Sequence, residues 1–215
     1  MSNARPSRLV SAFRHILATL ASVFLGTSQL GAASPPHAEV GDTLPSATLA
    51  DAKGNPFDVS EAVREKPAVL VFYRGGWCPY CNAQLSALVE IEDDLASLGY
   101  QLLAISPDQP SKLHDTPKRK VEPTYALVSD QDLVLAEALG IAFEVPAELV
   151  DKYKNSYSID LEAASGRKHH KLPHPAVFVV DRQGVIRFVH VDPDYRKRLD
   201  PAKILTAAKT AVDAR

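Results

Sequence analysis

A continuous apolar, β-rich run, Ala68-Val-Leu-Val-Phe-Tyr73, is broken by Gly75-Gly76 and followed at once by Cys78-Pro79-Tyr80-Cys81. Such runs fill central strands that are buried on both faces. Pro79 suits the first turn of a helix, where its missing N–H is not needed. Leu85, Leu88, Leu95 and Leu98 fall on one face of that helix, and Gly99 is a natural stop. Residues 100–106 (YQLLAIS) form the next strand. The two cysteines therefore lie at the strand-to-helix junction of a β-turn-α-β unit. A chain built on this unit is an α/β sheet layered with helices.

Cys78 and Cys81 are the only two cysteines in 215 residues. A disulfide-stapled scaffold needs more, spaced further apart, and a closed zinc site needs four ligands. A helix N-terminus stabilises a thiolate, because its first N–H groups are unpaired and its dipole is positive there. Cysteines so placed have pKa values depressed to about 3.5–7.5. Cys-x-x-Cys spacing lets the sulfurs meet, so that one attacks and the other resolves the product. Trp77 and Pro79 flank the pair as supporting residues. The competing readings are an inert buried pair and half of a zinc site completed by His169, His170 or His174. A solvated histidine cluster is the plainer reading of those three, so no metal and no cofactor is expected.

Residues 1–38 contain no Asp or Glu. Arg5, Arg8 and Arg14 precede an apolar run from Ile16 to Leu25, and Gly31, Ala32 and Ala33 follow. This is the layout of a secretory signal peptide, and the run is short for a membrane span of about 20 residues. Residues 1–33 are read as a signal peptide or N-terminal anchor, and 34–215 as a single domain. The expected location is exported, periplasmic; a membrane-anchored or organellar protein is the alternative.

Within the domain, residues 47–50 and 57–59 read as a short hairpin across the turn Asp51-Ala-Lys-Gly54-Asn55. Residues 112–121 read as a short helix, 125–129 as a strand and 132–139 as a helix. Residues 141–172 show no clear period and read as loop with helical pieces. Residues 177–181 and 185–191 form a hairpin, and 201–212 a terminal amphipathic helix. The net charge of -2 is dispersed, with no basic stripe for nucleic acid.

Phe72-Tyr-Arg-Gly-Gly-Trp77-Cys-Pro-Tyr-Cys81-Asn-Ala-Gln-Leu85 resembles the thioredoxin superfamily. More narrowly, it is similar to the peroxiredoxin-like branch of the alkyl hydroperoxide reductase/thiol-specific antioxidant family. Val40-Gly-Asp-x-x-Pro45, Ser106-Pro-Asp108 and Phe178-Val-Val-Asp-Arg-Gln-Gly-Val-Ile-Arg187 fit the same pattern. The resemblance covers about residues 38–190. It implies a thioredoxin-like fold: a central mixed β-sheet flanked by helices, with an N-terminal β-hairpin. It places Cys81 at the peroxide-reactive position and Cys78 at the family's Thr/Ser position. Pro175 matches the proline that faces the cysteines in thioredoxin folds. The family's usual arginine is missing there, and Arg74 is the candidate stand-in, a solvated surface arginine being the alternative. The implied activity is a thiol-dependent peroxidase that reduces hydroperoxides and is recycled by an external dithiol protein such as thioredoxin. The alternatives are an exported thiol-disulfide oxidoreductase acting on protein disulfides and a non-catalytic binding module. Monomer and homodimer both remain open.

Overall fold

The computed structural model describes residues 37–114 and 124–213. The N-terminal segment and most of the helix expected over 112–121 lie outside the described residues. Among the described residues no helix is long and apolar enough to cross a membrane.

The chain enters through the hairpin β1 (Thr48–Asp51) and β2 (Pro56–Asp58), closed by Asp51 accepting backbone N–H groups from Lys53 and Asn55. Asp58 then caps α1 (Val59–Glu65) by accepting from the Glu61 N–H. Next come β3 (Ala68–Phe72), α2 (Pro79–Leu88), α3 (Glu92–Ser97), β4 (Gln101–Ser106), β5 (Ala126–Ser129) and α4 (Val134–Ala138). The remainder is β6 (Ala142–Glu144), α5 (Ala147–Tyr157), α6 (Leu161–Ser165), β7 (Lys171–Pro173), β8 (Ala176–Val180), β9 (Ile186–Val191) and α7 (Pro201–Asp213).

Among the described residues seven strands form one mixed sheet in the order β2-β1-β5-β4-β3-β8-β9. Strand β3 lies between β4, to which it is parallel, and β8, to which it is antiparallel. All five of its residues are buried, as the apolar run requires. Their period of two divides them between the faces. Val69 and Val71 join the two cysteines, Leu85, Leu88 and the α7 residues Ile204 and Ala208. Leu70 and Phe72 pack on the other face with Val59 and Val63 of α1 and Leu135 of α4.

Two expectations are corrected. The helix beginning at Pro79 does not run unbroken to Gly99: it tightens into a 3-10 turn at Val89–Ile91 and restarts as α3. Ile91 leaves the helical region (φ -112, ψ 2), and Glu92, Asp93 and Asp94 fill the first turn of the new helix. Acidic side chains are favourable beside the partial positive charge of a helix start. In residues 141–172 the expected helical pieces are α5 and α6, and the pairing of β6 with β7 is what the expectation lacked. The ladder and the two helices pack as a small cluster of Val145, Tyr153, Leu161 and Leu172. Strands this short and a helix this polar leave no readable period.

Candidate active site

The site grows from the end of β3. The Tyr73 N–H still donates to the Ile105 carbonyl of β4 (3.0 Å), and the backbone then turns sharply through Gly75 (φ 144). A Cβ on Gly75 would come within 2.4 Å of Trp77 Nε1 and 2.8 Å of Asp108 Oδ1, so only glycine fits. Asp108, buried just beyond β4, accepts the Gly76 N–H (2.7 Å). The Cys78 N–H donates to the Gly75 carbonyl (3.1 Å), and Asn82 closes the turn by donating to the Gly76 carbonyl (2.8 Å). These bonds present Cys78 as the N-cap of α2, with Pro79 in the first turn. Pro79 and Tyr80 are exposed, whereas Trp77 is half-buried.

Both thiols are free and buried: Cys78 is 1% and Cys81 0% exposed. They are not equivalent. The hydrogen bond from Cys81, aided by the Arg74 and Arg198 charges, brings Cys78 down to about 6 against the opposition of burial. Burial pushes Cys81 well above the usual thiol range, and the neighbouring Cys78 sulfur adds to the effect. Of the two, Cys78 is the more readily ionised and Cys81 the one that keeps its proton.

Two guanidiniums converge on this pair. Arg74 is not a surface residue: it is 3% exposed, and its Nη2 donates to the Tyr153 hydroxyl. Its guanidinium carbon lies 5.1 Å from the Trp77 ring centre, 5.5 Å from Tyr153 and 4.4 Å from Tyr195. The second cation, Arg198, has no counterpart in the sequence reading. Its Nη2 lies 3.2 Å from Cys81 Sγ and 4.0 Å from Cys78 Sγ. Tyr153 and Tyr195 were likewise not foreseen. In the stretch Tyr195-Arg-Lys-Arg-Leu199 nothing local separates Arg198 from Arg196; the buried Leu199 beside it is the only hint.

Pro175 is buried immediately before β8, whose Ala176 pairs with Phe72, so it lies level with the end of β3. Its carbonyl accepts the Asp192 N–H (3.0 Å). The three histidines have separate partners. His169 Nε2 bonds the Gln131 carbonyl, His170 Nε2 the Glu162 carboxylate, and His174 stacks on Phe143. Among the described residues no group of three His, Cys, Asp or Glu side chains is placed to hold a metal ion.

A Cys-x-x-Cys pair on the helix that leaves the central strand of such a mixed sheet defines a thioredoxin-fold protein with a dithiol site. Residues 40–189 match the AhpC/TSA family model, and the chain belongs to that family. Peroxiredoxin Bcp of Escherichia coli is 27% identical over 103 residues, which are 48% of this chain and 65% of that protein. The chloroplastic peroxiredoxin Q of Populus jackii is 26% identical over 163 residues, 76% of this chain and 62% of that protein. This chain thus spans somewhat less than two thirds of the length of these relatives. The crystal structure of peroxidoxin BcpB from Mycobacterium tuberculosis shares the fold at a TM-score of 0.62 and 21% identity, covering 81% of this chain and 98% of that one.

Proposed function

We propose that the protein is a thiol-dependent peroxidase acting through Cys78 and Cys81. The observation that carries this reading is the buried pair of free thiols with the Arg198 guanidinium against both sulfurs and the buried Arg74 beside them, on the scaffold of the AhpC/TSA family. A thiolate attacks the terminal oxygen of a hydroperoxide; the O–O bond breaks, and the departing alkoxide takes a proton and leaves as alcohol or water. The attacking sulfur becomes a sulfenic acid. The second thiol displaces its hydroxyl as water, and a Cys78–Cys81 disulfide forms. An external dithiol protein of the thioredoxin kind then reduces that disulfide and is itself oxidised.

The family position supports Cys81 as the attacking residue and Cys78 as the resolving one. On this reading reduced Cys78→Ser consumes one equivalent of peroxide in a stopped-flow experiment, and Cys81→Ser consumes none. A second order of events, with Cys78 attacking first, is favoured by the lowered pKa of Cys78. It predicts the reverse pattern. If neither variant reacts while the wild-type protein does, both thiols are needed for the first step and both orders fail.

The pH dependence follows from the sign of the Cys78 shift. A thiol held near 6 is ionised above that pH, so alkylation of the reduced protein should be flat above pH 7. Below pH 6 it should fall about tenfold per unit. A midpoint near the ordinary thiol value would remove the assigned thiolate.

The acid-free, arginine-bearing residues 1–33 support an exported location, in which an oxidised Cys78–Cys81 pair would persist. N-terminal sequencing of the purified protein tests this: cleavage near residue 33 is expected, and an intact Met1 overturns it.

A further inference from the structure

Between β9 and α7, residues 192–200 cross over the dithiol. Their ends are fixed. The Asp192 N–H holds the Pro175 carbonyl, Leu199 is buried in the core cluster that contains both cysteines, and Asp200 Oδ1 accepts the Ala202 N–H at the start of α7 (2.8 Å). The middle is exposed. A turn from Asp194 to Lys197 is braced by Asp194 with Arg196. Two side chains point back at the site. The Tyr195 ring meets Tyr80 edge-on at 5.8 Å and covers the Arg74 guanidinium at 4.4 Å. Arg198 lies against both sulfurs.

Two further observations bear on what can reach the sulfurs. Among the described residues no carboxylate pairs with Arg198, and its buried Nε has no hydrogen-bond partner. Nε and Nη2 form one edge of the guanidinium fork, and Nη2 already faces Cys81 Sγ. The unused donor beside it suits a small oxygen acceptor held next to that sulfur; leaving it unmet is costly. Tyr80 and Tyr195 are 43% and 41% exposed, so the cover is only side-chain deep. A hydroperoxide terminus of two oxygens can pass when exposed side chains change rotamer, on the picosecond to nanosecond scale. A protein disulfide cannot. Its two sulfurs must line up with the attacking sulfur while both flanking chains clear the site.

We propose that in the reduced protein the segment carrying Tyr195 and Arg198 is a strap that sets specificity, admitting small hydroperoxides to the dithiol and excluding disulfides of folded proteins; oxidation to the disulfide removes the thiolate charge that Arg198 faces and so releases the segment for the reducing dithiol protein. This rests on the peroxidase reading for the identity of the admitted substrate, but the exclusion itself can be read without turnover. The reduced protein is labelled with N-ethylmaleimide and with a polyethylene-glycol maleimide the size of a small protein. The reactive group is the same, so the ratio of the two rates cancels any change in thiolate fraction. Tyr195→Ala and the double variant Tyr195→Ala/Arg198→Ala should raise the large-to-small ratio by about tenfold. Tyr195→Phe, which keeps the ring, should leave it at the wild-type value and shows that the strap position folds when substituted. Insulin-disulfide reduction should be negligible in the wild-type protein and should rise in the same two variants relative to hydrogen peroxide turnover. An unchanged labelling ratio, or wild-type insulin reduction as fast as that of the variants, overturns the strap. A raised labelling ratio in a protein that never consumes peroxide overturns the peroxidase reading and leaves the strap standing.

Discussion

The dithiol has two walls, and they are built differently. The inner wall is Arg74 with Trp77 and Tyr153, reached from the end of β3 and from α5. Arg74 is buried, its guanidinium is hydrogen-bonded to a phenol, and the two rings of this wall flank it, with Tyr195 of the outer wall as a third. The outer wall is the 192–200 segment, fixed at its ends, exposed in its middle and touching the sulfurs through one flexible side chain. Both walls bring a positive charge to the same thiolate. The inner one is built into the fold, whereas the outer one meets the site through side chains of a segment that is exposed in its middle. A cation that is both buried and ringed by aromatic side chains is fixed by the scaffold; one on a surface segment is free to serve access and selectivity.

The largest effect is expected at Gly75. Gly75→Ala sets a Cβ against Trp77 and Asp108 in a positive-φ turn. It should cost about 3 kcal/mol or more in denaturant unfolding. A smaller loss would mean that the inner wall yields. Next comes Arg74→Met, which orphans the Tyr153 hydroxyl and forfeits three cation–π contacts. A loss of about 2–3 kcal/mol is expected. Arg74→Lys should recover only part of it, since an ammonium cannot stack as a guanidinium does. Smaller still, Asp160→Ala removes the N-cap that accepts the Ala163 N–H of α6, next to α5. About 1 kcal/mol should be lost in thermal unfolding. At the bottom of the scale, Arg198→Ala should change unfolding free energy by less than about 1 kcal/mol. Its effect should be seen instead in the ultraviolet thiolate titration of the reduced pair, whose midpoint moves upward. Equal stability losses for Arg74 and Arg198 would erase the distinction between the walls.

The inner wall was half legible in the sequence, and the outer one was not. An unbroken apolar run, two glycines and a proline one residue past a cysteine each have a local physical meaning, so β3, the turn and the start of α2 could be placed from residues alone. Arg74 could be named but not located. Its burial depends on Tyr153, which is 79 positions away on a helix whose other residues are mostly polar. Arg198 carried no local signal at all. Arg196, two residues earlier, pairs with Asp194 on the surface. Which of the two turns inward is decided by Leu199 docking in the core and by the Pro175 carbonyl holding Asp192, both long-range events. The resemblance pointed to the position of Pro175, just before β8, for a cation, and the chain instead brings one from the far side of β9.

That distance along the chain has a consequence for biosynthesis. Arg198 follows Cys81 by 117 positions. At about 5–20 residues per second the ribosome releases the cysteines roughly 6–23 s before the residue that covers them. Throughout that interval the thiols of a nascent chain are open to any oxidant or passing disulfide, with neither cover nor second cation in place. The pair thus meets its surroundings twice, first as two ordinary cysteines on an unfinished chain and only later as a guarded dithiol.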